Sequence, residues 1–275
     1  MSTQVEPMGS KQCGTCSSCN VAGLTRLGVK VGDWDYVVAL AGNPNTGKST
    51  LFNAWTGLRQ HVGNWVGKTV TRAEGAVRYD ARKYKLVDLP GTYSLLSSSV
   101  HEEVARDFLL FGQPDVTVIV TDATRLERSL HLVLQVLEIT DRAVVCLNLI
   151  DEARRGGLSV DERALARDLG VPVVPTAVRR GEGVNELLSV VAEVARGTRS
   201  ANPRRVEYAD AALRSSLEEL TAQLGEVFPN LPNKRWVALR LLEGDESIVR
   251  AVRERTLGEL GPPHAFQPLV QLKVA

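Results

Sequence analysis

Gly42-Asn43-Pro44-Asn45-Thr46-Gly47-Lys48-Ser49 is the stretch that decides the fold. It meets the phosphate-binding pattern GxxxxGK[ST], and its flanks are those the pattern's mechanism requires. The apolar run Tyr36-Val37-Val38-Ala39-Leu40-Ala41 precedes it as a strand, and Ser49-Thr50-Leu51-Phe52-Asn53-Ala54-Trp55 follows with helical character. In that context the loop amides and the helix N-terminus present partial positive charge to a β-phosphate. Lys48 would reach the β- and γ-phosphates, and the Ser49 hydroxyl would ligate Mg²⁺. A nucleotide is the first ligand expected, with Gly42 through Ser49 and Thr50 as its phosphate-side contacts.

Three further motifs follow at GTPase spacing. Asp88-Leu89-Pro90-Gly91 ends the apolar strand Tyr84-Lys85-Leu86-Val87, where a carboxylate can hold Mg²⁺ through water and the Gly91 amide can meet a γ-phosphate. Asn148-Leu149-Ile150-Asp151 closes the strand Ala143-Val144-Val145-Cys146-Leu147. Asp151 can accept from the N1–H and exocyclic amine of guanine, a donor pair that adenine lacks. Thr176-Ala177-Val178, after Val173-Val174, would present backbone to the guanine O6. Each short motif is weak alone; four in order, each at the C-terminal end of a strand, are specific.

The chain has 275 residues, 44% hydrophobic and 24% charged, enough for one sizeable core and a smaller unit. A net charge of +1 gives no broad cationic face, so no nucleic-acid partner is expected. No apolar run approaches the roughly 18 residues needed to span a bilayer, and the N-terminus lacks an apolar signal core, so the chain itself reads as soluble. Cys13, Cys16 and Cys19 form CxxCxxC in a Gly/Ser/Thr-rich tail, while Cys146 lies in a strand and cannot easily join them. Three thiolates leave a tetrahedral site incomplete, so two readings stand: a zinc or iron–sulfur site completed from elsewhere, or reduced exposed thiols.

The patterning predicts a flexible, cysteine-containing leader over residues 1–33, a GTP-binding domain over 34–199 and a helical domain over 200–275. Within the second, strand and helix alternate: Val116-Thr117-Val118-Ile119-Val120 suits the middle of a parallel sheet, and Leu126 to Ile139 has helical spacing. Val104 to Leu110, Glu162 to Leu169 and Val184 to Val194 read as further crossover helices. The fold class expected is α/β, a P-loop GTPase with a mostly parallel sheet flanked by helices, followed by a small all-α domain. Thr198-Arg199-Ser200-Ala201-Asn202-Pro203 reads as the linker, and Tyr208 to Leu224 and Lys234 to Leu242 as helices, with Trp236, Leu239 and Leu242 on one packed face.

The segments Gly42 to Asn53, Val62-Gly63-Asn64-Trp65-Val66-Gly67-Lys68-Thr69-Val70, Asp88 to Leu95, Asp122-Ala123-Thr124-Arg125-Leu126-Glu127-Arg128 and Arg235-Trp236-Val237-Ala238-Leu239-Arg240-Leu241-Leu242-Glu243-Gly244-Asp245 are similar to the N-terminal cytosolic region of the ferrous-iron transport protein B (FeoB) family. The likeness covers most of residues 36–247. It implies a G domain whose nucleotide state is linked to Fe²⁺ passage through a membrane permease, and a helical domain that influences GDP release. It also implies small iron-transport accessory proteins as partners and a place on the cytoplasmic side of the bacterial inner membrane. Thr69 matches the first-switch threonine that meets Mg²⁺ and the γ-phosphate, and Asn45 the phosphate-loop asparagine that holds K⁺. On this resemblance the catalytic set is Asn45, Lys48, Thr69 and Gly91. The metal-holding set is Ser49, Thr69 and Asp88 for Mg²⁺, with Asn45 for K⁺.

Thr92 stands where many small GTPases have a water-orienting glutamine, so slow turnover is expected. Leu149 replaces the lysine of NKxD, which predicts weaker affinity and quicker exchange. His101, Glu102 and Glu103 read as a solvated helix start, and His61 as exposed. For Trp65 two readings remain, packing over the nucleotide edge or mobility when GDP is bound. The family continues into a polytopic permease, so the chain is either a portion of such a protein or a separate relative. The competing function is a soluble GTPase of ribosome or RNA maturation, with a metal-sensing adaptor built on the cysteine leader as a third reading.

Overall fold

The computed structural model describes residues 24–254, except 26, 30, 31, 33, 59, 67, 97, 98 and 230 and the side chain of Gln60. Cys13, Cys16, Cys19 and Pro262-Pro263 lie outside the described residues. Seven strands form one sheet: β1 (Tyr36–Gly42), β2 (Gln60–Asn64), β3 (Thr71–Tyr79), β4 (Arg82–Asp88), β5 (Val116–Asp122), β6 (Ala143–Asn148) and β7 (Val173–Pro175), in the order β2-β3-β4-β1-β5-β6-β7. From β4 to β7 every pairing is parallel, whereas β3 runs antiparallel to both β2 and β4.

The parallel part follows directly from the residues. Val116, Val118, Ile119 and Val120 are fully buried, as β-branched side chains alternating between two covered faces must be. One face carries α1 (Lys48–Thr56) and α6 (Val184–Ala195), which close Leu51, Phe52, Leu187 and Val191 over Val38, Leu40, Leu86, Val118 and Val120. The other carries α2 (Val100–Asp107) and α3 (Leu126–Ile139), which set Val104, Leu132, Val133 and Val136 against Ala39, Val87, Ile119 and Val145. Between β6 and β7 lie α4 (Ile150–Arg155) and α5 (Glu162–Leu169). Helix α2 starts earlier than its apolar pattern suggests because the Ser99 hydroxyl caps it, accepting from Glu102 N at 3.3 Å. It then widens into a π turn over Phe108–Gly112.

The β2–β3 pair is absent from the sequence reading, for a physical reason. Strand β3 turns Arg72 and Glu74 inward, 8% and 5% exposed, where a half-buried strand normally places apolar residues. Glu74 Oε2 stands 2.5 Å from Lys85 Nζ, and Glu74 Oε1 2.8 Å from Arg72 Nε. The second contact is an ion pair without hydrogen-bond alignment, since both of its atoms count as unpartnered. Gly75 interrupts the pattern again, because a Cβ there would fall 2.2 Å from Thr56 Cγ2 on α1. The hairpin into β4 turns on Asp80 and Ala81, with φ of 49° and 60°, the paired left-handed residues of a type I′ turn.

Beyond the sheet come α7 (Ala211–Val227), α8 (Lys234–Leu242) and α9 (Glu246–Arg253). The first begins after Tyr208 because the Asp210 carboxylate caps it, accepting from Ala212 N at 2.7 Å. Trp236 and Leu239 are buried as expected, but Leu242, last in α8, is 39% exposed. Trp236, Val237, Leu217 and Ile248 share one core with α3. Glu138 on α3 ties the junction, accepting from Val206 N at 2.9 Å and from Arg235 Nη1 at 2.5 Å. The flexible leader expected through residue 33 does not extend over its last turn. Leu24 and Val29 are buried in the core, and Arg72 Nη1 donates to Leu27 O at 2.9 Å.

Candidate functional site

The phosphate loop runs from the end of β1 into α1 and is held shut from within. Thr46 Oγ1 donates to Asn43 O at 2.9 Å, and Thr92 N to Gly42 O at 3.2 Å. Gly47 is left-handed at φ 86°, and a Cβ there would stand 2.3 Å from Asn148 Nδ2, so only glycine fits. Helix α1 has no side-chain cap at its start and no acidic residue in its first turn. Its first amides are therefore available to an anion. Asn45, at φ 66°, and Pro44 are exposed on the loop, Ser49 is exposed at the helix start, and Thr50 is half-buried.

Lys48 Nζ lies 2.5 Å from Asp88 Oδ1, with side chains 9% and 14% exposed. Burial raises the Asp88 carboxyl above its ordinary range, and the Lys48 charge and hydrogen bond pull the other way. Gly91 lies against Pro44, so the end of β4 and the phosphate loop form one wall. The Ser49 hydroxyl and the Asp88 carboxylate are hard oxygen donors, a set that fits Mg²⁺.

Asn148 joins this wall to the base end. Its Nδ2 donates to Thr46 O at 2.8 Å, while its Oδ1 accepts from Val178 N and Thr176 Oγ1, both at 3.2 Å. Asn148 therefore acts as a buckle between loops, a function its place in NxxD does not reveal. Leu149 sits left-handed at φ 62° and starts α4, whose first turn carries Asp151, 15% exposed at the side chain. The expected backbone contact to O6 is modified by the geometry. Thr176 N donates to Leu147 O at 2.8 Å, Ala177 N to Glu182 O at 3.0 Å and Val178 N to Asn148 Oδ1, so these amides already have partners.

The structure thus brings together Gly42 to Thr50, Asp88, Gly91, Asn148, Asp151 and Thr176 to Val178. Thr69 stays apart: it is exposed between β2 and β3 and, among the described residues, makes no hydrogen bond to Ser49 or Asp88. Trp65 is taken into the core beside α2. It is 3% exposed, edge-on to Phe108 with ring centroids 5.4 Å apart, and Arg72 lies over its ring. His61 is exposed, and Glu103 pairs with Lys68 of the first switch at 2.8 Å rather than facing water alone. Cys146 is buried, its thiol pushed up to about 12 by burial, which leaves it inert.

Comparison with known families matches residues 36–191 to ferrous iron transport protein B and residues 210–261 to the FeoB cytosolic helical domain. The chain belongs to the FeoB family. Among curated FeoB proteins, the Fe(2+) transporter of Salmonella typhimurium is 42% identical over 212 residues, covering 76% of this chain and 27% of the relative. The chain thus spans about a quarter of the length of the curated FeoB relatives it matches. The cytosolic domain of the T. maritima FeoB iron transporter, solved in apo, GDP and GMPPNP forms, superposes in its apo form with a TM-score of 0.73 at 37% identity. That match covers 84% of this chain and 88% of the other. The isolated G domain of the same transporter is 45% identical, with a TM-score of 0.55 over 58% of this chain and 98% of that domain. FeoB membership accounts for the G-domain sheet and the appended helices together.

Two groups escape a motif-based reading of this FeoB chain. Arg155 is legible afterwards, because it lies one helical turn from Asp151, with its guanidinium 3.5 Å from Oδ2. Arg180, 3.0 Å from the same oxygen, comes from a separate loop and leaves no periodic trace.

Proposed function

We propose that this chain binds GTP and GDP, hydrolyses GTP and serves, on the cytoplasmic side of the membrane, as the regulatory module of a ferrous-iron transporter, its nucleotide state linked to Fe²⁺ uptake through a membrane permease. The supporting observation is the single site in which Asn148 bonds the phosphate loop and the base loop at once, with Lys48 and Asp88 2.5 Å apart at its phosphate end. The same family's T. maritima domain was solved with GDP. Among the described residues no helix is long and apolar enough to cross a membrane, so iron passage would belong to another part or partner.

In this reading Lys48 and the first amides of α1 bind the β- and γ-phosphates, and the Gly91 amide approaches the γ-phosphate. Ser49, Thr69 and, through water, Asp88 would hold Mg²⁺, which when bound supplies positive charge against the phosphate oxygens. Thr69 must move inward to join them, an ordering step of the kind by which switch segments report a γ-phosphate. The Asn45 amide oxygen, exposed on the loop, would hold K⁺. The helical domain would bias GDP release through Arg106 on α2, whose Nη1 donates to Ser247 Oγ on α9 at 3.0 Å. The domain limits 34–199 and 200–275 belong to the same proposal.

Ser49→Ala tests the phosphate end. The variant is expected to hydrolyse GTP at least tenfold more slowly at low Mg²⁺ and to recover partly as Mg²⁺ rises, since one of several oxygen ligands is lost. Phosphate release across a Mg²⁺ series measures this; a defect independent of Mg²⁺ would remove Ser49 from the metal.

A further inference from the structure

Two arginines converge on one oxygen of Asp151. Arg180 Nε is 3.0 Å from Oδ2, and Arg155 Nη2 is 3.5 Å from it. Their hold is unequal. Arg155 reaches from the next turn of α4 and also donates its Nε–H to Asp151 O at 3.3 Å, whereas Arg180 comes across from the base loop. The short turn Val178–Arg180, closed by Arg180 N donating to Ala177 O at 2.8 Å, projects that guanidinium back over α4. A second tether, Arg154 Nη1 to Glu182 Oε1 at 2.6 Å, joins the same two elements without touching Asp151.

We infer that Arg180 is a positioning residue for base selection: it fixes the rotation of the Asp151 carboxylate so that both oxygens meet the N1–H and 2-amino group of guanine. This rests on the reading of Asp151 as the guanine acceptor. A carboxylate on a short side chain turns about two bonds, and an aspartate with no lateral partner has no preferred face. Each oxygen accepts twice, so Oδ2 can keep Arg180 and still take a base donor. Among the described residues Oδ1 takes no hydrogen bond, which leaves it for the other donor. The Arg180 side chain is 61% exposed, and ion pairs at the water's edge contribute little to stability. Its effect should therefore lie in orientation, not in folding.

Inosine diphosphate supplies the test, because hypoxanthine keeps N1–H and O6 but lacks the 2-amino group. Dissociation constants for labelled GDP and IDP are measured with the full chain, Arg180→Gln, Arg154→Gln and Asp151→Asn. Losing one hydrogen bond to a charged acceptor corresponds to about 10- to 100-fold, so the full chain should prefer GDP by that ratio. Arg180→Gln should reduce the ratio at least fivefold by weakening GDP more than IDP. Arg154→Gln, which loosens the loop alone, should leave the ratio unchanged. An Arg180→Gln ratio equal to that of the unaltered chain, with Asp151→Asn losing it, would overturn the role of Arg180 alone. An unchanged ratio in Asp151→Asn would overturn the base reading and this inference with it.

Discussion

Lys48→Ala is expected to weaken GDP and GTP binding by roughly 10²- to 10⁴-fold, the largest loss any single substitution in this site should cause. The ammonium would supply two charge-assisted contacts, and each is worth about 1.5–3 kcal/mol when its partner is ionised. Deletion also strands Asp88. Its carboxyl is already pushed up by burial and pulled down only by Lys48, so the variant leaves a buried acid with no compensating charge. Because the loss comes from phosphate contact rather than from Mg²⁺, excess Mg²⁺ should not restore it, in contrast to Ser49→Ala. Calorimetric titration with GDP and with GMPPNP at two Mg²⁺ concentrations measures both features. A dissociation constant within about threefold of the unaltered chain would remove Lys48 from the phosphates.

Hydrolysis in KCl is expected to exceed that in NaCl at matched ionic strength by roughly 10- to 100-fold, and Asn45→Ala should abolish the difference. The structure sharpens the reason. Thr92, at the position of the usual water-orienting glutamine, is 5% exposed and spends its Oγ1–H on Ser94 O at 2.7 Å. Tyr93 stacks beneath Arg128, 4.2 Å from guanidinium carbon to ring centroid. Neither residue is placed as a water-orienting group, so in the proposed site charge developing on the phosphates would be met by Lys48 and the cations held there, whose oriented contribution is of order 10²-fold or more. Phosphate-release rates for both proteins in both salts decide it. No preference for K⁺ in the unaltered chain, or an undiminished one in Asn45→Ala, would contradict the assignment.

The parallel core was legible because four of its five strands, β1, β4, β6 and β7, end in a motif whose chemistry requires a strand there. Val116 to Val120 and Leu126 to Ile139 could be placed from periodicity alone, since burial on two faces or one stripe leaves an unambiguous pattern. What stayed hidden arises from contacts across the chain. Strand β3 is disguised by the inward Arg72 and Glu74, whose partner Lys85 lies on another strand. Helix α9 is short, and its start depends on Asp245, which accepts from Ser247 N at 3.0 Å. Trp65 follows a loop motif and so suggests ligand contact, yet Phe108 and Arg72 take it into the core. In the candidate site, spacing picks out motif residues that the fold brings together, but Asn148's two-way hydrogen bonding and the arginines on Asp151 required the fold. Motifs report which groups meet a ligand; they are silent about the groups that hold those in place.

In the proposed site, Asn148 and Asp151 join a phosphate cradle to a guanine acceptor. Asp151→Asn tests this most directly, because an amide can accept from N1–H and donate to the O2 of xanthine but cannot receive the guanine 2-amino group. Titrating labelled GDP, XDP and ADP into both proteins should show the unaltered chain selecting GDP by at least about 100-fold, as expected for loss of a matched polar pair. The variant should select XDP, and neither protein should favour ADP. A variant that still prefers GDP to the same degree, or an unaltered chain that binds ADP as well as GDP, would contradict the account.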